Sequence, residues 1–107
     1  MARFVRSTTH GAYASSLVGK SSKGEFFGVH GYNNGADQWI MIFDASSLPV
    51  DGTTPKLRFK VDAQSNFFGT QDLLSYAMQT GIVVANSTTA ETLTNGAADC
   101  LFHVDWR

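Results

Sequence analysis

The sequence predicts an all-β protein, either an antiparallel β-sandwich (jelly-roll-like) or a small barrel, with six to eight short strands. Short apolar runs recur along the chain, separated by Gly, Asn, Asp, Ser and Pro. Several of these runs alternate apolar and polar residues with a period of two, and helical periodicity is nearly absent. A chain of 107 residues is too short for two independent cores. We therefore expect residues 1–107 to form a single domain, with a flexible N-terminal segment 1–10 that orders on assembly.

The strongest predicted strand covers residues 38–44, because it is apolar on both faces. Its odd-numbered positions carry Trp39, Met41 and Phe43, and two isoleucines occupy the even positions between them. Successive side chains of a strand point to opposite faces. The pattern therefore predicts a central strand that is covered on both sides, by a second layer or by a partner.

The other strands are weaker but follow the same rules. In segment 56–61, Leu57, Phe59 and Val61 alternate with cationic residues, which predicts one buried and one solvated face. Segment 46–55 carries two prolines and is expected to be an exposed connection, and 87–96 a loop or hairpin. Further strands are predicted at Tyr13–Val18, Glu25–Tyr32, Gly81–Ala85 and Cys100–Trp106.

The segment between Asn66 and Gln79 leaves two alternatives open. Leu73, Leu74 and Met78 have the spacing of one short helical turn. Alternatively, the segment is irregular up to a strand near Tyr76.

Composition and charge exclude several classes of function. Charged residues make up 16% of the chain, below the usual share of about a quarter, which favours a surface covered by neighbouring subunits. The net charge is −1, and the row Lys56, Arg58 and Lys60 is interpreted as a solvated face rather than a nucleic-acid site. The single cysteine, Cys100, excludes an internal disulfide. No signal peptide or membrane-spanning segment is apparent, so we expect a protein made in the cytoplasm, without membrane contact.

Candidate catalytic and metal-binding residues lack a recognisable pattern. The three histidines, His10, His30 and His103, are the candidates for a metal site or a base, but none has a metal-ligand spacing. His103 and Asp105 share one strand face, but the sequence places no third ligand beside them, and we expect neither a metal nor another cofactor. No Gly-x-Ser-x-Gly turn presents a serine nucleophile, and no paired carboxylates stand out. Cys100 opens an apolar strand, which suits a small buried side chain better than a reactive thiolate. We expect no catalytic residues and no enzymatic activity. The enzyme alternative would require a well-formed pocket that contains His30 or His103 with a polar partner.

Three aromatic residues are the candidate interface or ligand contacts, namely Tyr32, Trp39 and Trp106. Trp39 and Trp106 lie in alternating apolar strands, which favours the core or a subunit interface. Tyr32 precedes an Asn-Asn-Gly turn and is the better candidate for an exposed ring. Together, Tyr32 and Trp106 are the pair that a sugar-stacking platform would use.

Four motifs follow one another between Gly31 and Thr92: a Tyr-Asn turn, a strand ending in Phe-Asp-Ala, a Pro-x-x-Gly-x-x-Pro loop and a late strand. They read GYNNGADQWIMIFDASSLPVDGTTP at 31–55 and TGIVVANSTT at 80–89. In this order the motifs, which span over half of the chain, resemble those of small β-sandwich proteins of tailed-bacteriophage virions.

The resemblance implies a structural protein of the head or tail, most of all a capsid decoration or cement protein. Its expected location is the virion, assembled in the host cytoplasm. Its expected partners are further copies of itself, with a trimer favoured, and virion proteins such as the major capsid protein. The resemblance transfers no catalytic residue. The alternative function is a carbohydrate-binding module or a tail accessory protein that recognises a host-surface glycan.

Overall fold

The computed structural model describes residues 5–70 and 75–107, which form nine β-strands and no helix. In chain order the strands are β1 (Arg6–Thr9), β2 (Ser16–Lys20), β3 (Gly24–Asn33), β4 (Gln38–Phe43), β5 (Leu57–Val61), β6 (Ser65–Thr70), β7 (Tyr76–Met78), β8 (Ile82–Ser87) and β9 (Cys100–Trp106). Within these residues there is accordingly no helix that meets the length and hydropathy needed to cross a membrane.

The strands form two antiparallel sheets that pack as a sandwich. Sheet A has the order β1-β9-β3-β6, and β7 pairs with the same β3. Sheet B has the order β2-β8-β4-β5. The predicted all-β class is confirmed, and the strand count is nine rather than six to eight. The two additional strands are β1, which is entirely polar and pairs with β9 at an edge, and β6.

The main core lies between the two sheets. Every strand from β2 to β9 contributes to it, and its buried members include Phe26, Ile40, Phe67, Phe102 and Val104. A sandwich of this kind is stabilised chiefly by removing these apolar side chains from water.

The prediction that the strand at 38–44 is covered on both sides is confirmed. Ile40 and Ile42 point into the main core. Met41 and Phe43 point to the opposite face, where they form a second buried cluster that includes Leu93. Leu93 belongs to the predicted loop 87–96, so this loop packs on the face of sheet B that points away from the main core. Backbone hydrogen bonds join Leu93 to the connection 46–55, which contains no strand, as predicted.

The alternation predicted for β5 is also confirmed. Val61 is buried, Leu57 and Phe59 are half-buried, and Arg58 and Lys60 are exposed. For the ambiguous segment, the structure has strand β7 at Tyr76–Met78. Leu73 and Leu74 lie outside the described residues.

A buried polar network closes one end of the sandwich. Gln38 Nε2 donates to Asn33 Oδ1 at 2.6 Å and to Asp99 Oδ1 at 2.9 Å. Asn86 Nδ2 donates to the same Asp99 oxygen at 2.9 Å. Asn33 and Asn86 are fully buried, so these bonds fix the ends of β3, β4 and β8 against the segment that enters β9.

Cys100 lies beside this network and is also fully buried. Burial, together with the neighbouring Asp99 carboxylate, raises the pKa of the Cys100 thiol from 9.0 to about 12, against an opposing hydrogen bond from Asn86. The thiol is therefore a packed, protonated group at neutral pH, in agreement with the interpretation drawn from the sequence.

Residues 6–9 of the N-terminal segment pair with β9 along the full length of β1. The expectation that segment 1–10 orders only on assembly stays a prediction.

Candidate functional site

A row of four side chains crosses the outer face of sheet A. The strand register pairs Thr9 of β1 with His103 of β9, His103 with His30 of β3, and His30 with Phe68 of β6. Directly opposed residues of an antiparallel pair point to the same face of the sheet. The fold therefore aligns side chains from four strands that are far apart in the sequence.

The three rings of this row stack on one another. The centroids of His30 and His103 lie 4.2 Å apart with an interplanar angle of 24°. The centroids of His30 and Phe68 lie 5.9 Å apart at 13°. Phe68 ends the row with 72% of its surface exposed, the second highest value after Val50 among the large apolar residues of the described chain.

Hydrogen bonds hold the polar half of the row in place. Thr9 Oγ1 lies 2.9 Å from His103 Nδ1, and His103 Nε2 lies 2.8 Å from Asp105 Oδ1. Ser7 Oγ donates to the same Asp105 oxygen at 2.8 Å. Because a threonine hydroxyl can either donate or accept, Thr9 satisfies Nδ1 of His103 in either ring tautomer. Strand β1 therefore orients both polar side chains of β9.

His30, His103 and Asp105 form a potential metal-ligand set. Each offers one nitrogen or oxygen atom, and these three atoms all lie within 4.8 Å of one another. From the sequence, His30 is one of three candidate histidines, but only His103 and Asp105 are placed side by side. His30 lies 73 positions earlier in the chain than His103, and only the β3–β9 register brings the two together.

Thr9, His103 and Asp105 place a hydroxyl, an imidazole and a carboxylate in the order used by hydrolytic triads. Such a site also needs an oxyanion hole, made by backbone or side-chain donors that converge on one point. The backbone N–H groups of the central strands β9 and β3 lie in the plane of the sheet and pair in its ladder, so they do not converge above these side chains.

A shallow cavity of about 360 Å³ adjoins the row and is lined by His30, Gly31, Asn66, Phe67 and Phe68. His30 is the only titratable side chain in this lining. An acid and a base are therefore not presented together inside it.

Tyr32 lies on the same outer face, one row further along the sheet. It pairs with Leu101 of β9 and Asn66 of β6, and both Tyr32 and Leu101 are half-buried. The face thus places the apolar side chains of Phe68, Tyr32 and Leu101 beside the polar cluster of Thr9, His30, His103 and Asp105.

Trp39 and Trp106 lie elsewhere. Trp39 is half-buried against the second cluster, on the outer face of sheet B. Trp106 packs on the main core at the inner side of sheet A, where its indole nitrogen donates to Thr8 Oγ1 at 2.8 Å. Lys20 Nζ lies 4.8 Å above the Trp106 ring centroid. Tyr32 and Trp106 therefore lie on opposite faces of sheet A and do not form one platform.

Comparison of the chain with models of protein families, with curated proteins and with solved structures found no match.

Proposed function

We propose that the protein is a structural component of a tailed-phage virion, most specifically a capsid decoration or cement protein that stabilises the particle through protein–protein contacts. The observation that carries the proposal is the aromatic outer face of sheet A, with Phe68 72% exposed at its end. The outer face of an antiparallel sandwich that meets only water is normally polar. A contiguous apolar surface on such a face marks a contact with another macromolecule.

A second copy of the chain is the occupant that this face fits best. Phe68, Tyr32 and Leu101 offer apolar area on this face, and Asp105 is the carboxylate beside them that a contact would have to desolvate or pair. The low overall charge of the chain agrees with self-assembly, and the resemblance to virion proteins favours a trimer among the closed oligomers. A stable contact requires roughly 800 Å² from each partner.

The features of the site support a binding role rather than catalysis. Beside Thr9, His103 and Asp105 the N–H groups of β3 and β9 pair within the sheet, and the described residues that line the adjoining cavity include one titratable side chain, His30. The cationic row of β5 alternates along an exposed strand face, which agrees with solvation rather than direct contact with nucleic acid. Neither a membrane nor a cofactor is part of the proposed role.

The direct test of the virion location is quantitative mass spectrometry of gradient-purified phage particles from the source of the sequence. A decoration protein is expected in many copies per particle, at a fixed ratio to the major capsid protein. Treatment that strips the chain should lower the temperature at which heads release DNA. Absence of the chain from purified, infectious particles would contradict the proposal.

One observation favours glycan binding as a second candidate function. The exposed ring of Phe68 and the half-buried ring of Tyr32 lie on one face, with Asn66 between their strand positions as a hydrogen-bonding group. Flat rings beside amides suit the stacking of a sugar. This candidate uses Phe68 in place of Trp106. A glycan screen with no binder at millimolar concentration would remove it.

A further inference from the structure

We propose that His30, His103 and Asp105 bind a first-row divalent transition metal ion, with Zn²⁺ as the representative ion, on the outer face of sheet A. The proposal rests on the geometry of these residues and does not depend on the virion function. The three candidate ligand atoms come from two adjacent strands and lie within 4.8 Å of one another.

The kind of ligand selects the class of metal. Two imidazoles with one carboxylate are typical of zinc and of other first-row transition ions. Calcium and magnesium prefer sites made of oxygen atoms, so two of the three ligands are unsuitable for them. Around a tetrahedral ion at about 2.0–2.1 Å, ligand atoms stand roughly 3.3 Å apart. The His30 and His103 rings stack with their centroids 4.2 Å apart at 24°, so binding one ion requires side-chain rotations that direct a nitrogen of each ring to a common point.

Hydrogen bonds from neighbouring side chains hold two of the three ligands, His103 and Asp105, in place. A metal at His103 Nε2 requires the proton on Nδ1, and Thr9 Oγ1 at 2.9 Å is placed to accept it. Asp105 Oδ1 accepts a hydrogen bond from Ser7 Oγ. Asp105 Oδ2 accepts no hydrogen bond from the described part of the chain. Ser7 and Thr9 of β1 are therefore positioning residues for the two ligands on β9.

The site is accessible and incompletely coordinated. The side chains of His103 and Asp105 are 28% and 34% exposed, so an ion has a path from solvent. Three protein ligands leave one tetrahedral position for water or for a group from outside the chain. In the free protein, the His103–Asp105 hydrogen bond occupies the position that the ion would take.

The test is isothermal titration of the full chain, treated with a chelator and then dialysed, with ZnCl₂. A parallel titration with Co²⁺ is followed by its visible absorption. We expect one ion per chain, an absorption spectrum of a Co²⁺ ion with nitrogen and oxygen ligands, and a higher melting temperature with Zn²⁺. Each of His30→Asn, His103→Asn and Asp105→Asn should weaken binding by at least about tenfold, and Thr9→Val by a smaller factor.

Two matched variants serve as controls, His10→Asn and Asp62→Asn. His10 packs edge-on against Phe102, and Asp62 is an exposed residue after β5, so neither belongs to the cluster. Both should bind Zn²⁺ within about twofold of the unmodified chain. Thermal scans of every apo variant verify folding. The proposal is overturned if the unmodified chain takes up no stoichiometric ion, or if folded variants of the cluster bind as tightly as the controls.

Discussion

Replacing Asn86 with Ala is expected to lower the free energy of unfolding by about 3 kcal/mol. Asn86 Nδ2 donates to Ala97 O at 2.8 Å and to Asp99 Oδ1 at 2.9 Å, and its Oδ1 accepts from Gly96 N at 3.0 Å. The side chain is fully buried, so water cannot replace these bonds without entering the end of the sandwich. Several polar groups are left without partners, and each such group costs about 1–3 kcal/mol.

Urea unfolding followed by tryptophan fluorescence measures this loss. The matched control is Asn66→Ala, because Asn66 is an exposed residue of β6. Its free energy of unfolding should change by no more than about 0.5 kcal/mol. If the two variants lost equal stability, the buried network would not be the element that stabilises this end of the fold.

Replacing Gly31 with Ala is expected to cost about 3 kcal/mol or to prevent folding. Gly31 lies in β3 between His30 and Tyr32, and it points into the sandwich. A Cβ at this position would overlap the backbone carbonyl of Leu101 and lie 2.9 Å from Cζ of Phe67. The carbonyl belongs to the β3–β9 ladder and cannot move without breaking the pairing that aligns His30 with His103.

Gly11→Ala is the matched control for this change. Gly11 is exposed, and a Cβ there has no neighbour within 4 Å. Thermal unfolding should show a large loss of stability for the first variant and almost none for the second. A folded Gly31→Ala protein with the melting temperature of the unmodified chain would contradict the close approach of β3 and β9.

The sequence predicts those strands in which the order of apolar and polar residues shows which face is buried. Segment 38–44 is apolar on both faces and becomes β4, and the alternation of 56–61 becomes β5. Strand β1 was missed because its residues, Arg-Ser-Thr-Thr, show no apolar pattern; it exists through pairing with β9. Strand β6 was missed because adjacent phenylalanines, Phe67 buried and Phe68 exposed, obscure its period of two.

The candidate site was predicted only in part, for a related reason. His103 and Asp105 are two residues apart, so a single strand places them on one face, and this was apparent from the sequence. His30 and Phe68 reach the same row through the registers of β3 with β9 and of β3 with β6. The register between two strands depends on the packing of the whole sandwich, so it cannot be read from a short segment of one sequence. For the same reason, nothing in the sequence indicated that Tyr32 and Trp106 lie on opposite faces of sheet A.

The claim that the outer face of sheet A is an assembly surface is tested most directly by the solution mass of the chain. Size-exclusion chromatography with light scattering is applied to the unmodified protein, to Phe68→Ser and to Val50→Ser. Val50 is the control because it is 79% exposed but lies in the connection between β4 and β5. A discrete oligomer, with a trimer favoured, is expected for the unmodified chain and for Val50→Ser, and a shift toward the monomer is expected for Phe68→Ser. A monomer at every concentration, or an oligomer unaffected by Phe68→Ser, would contradict it.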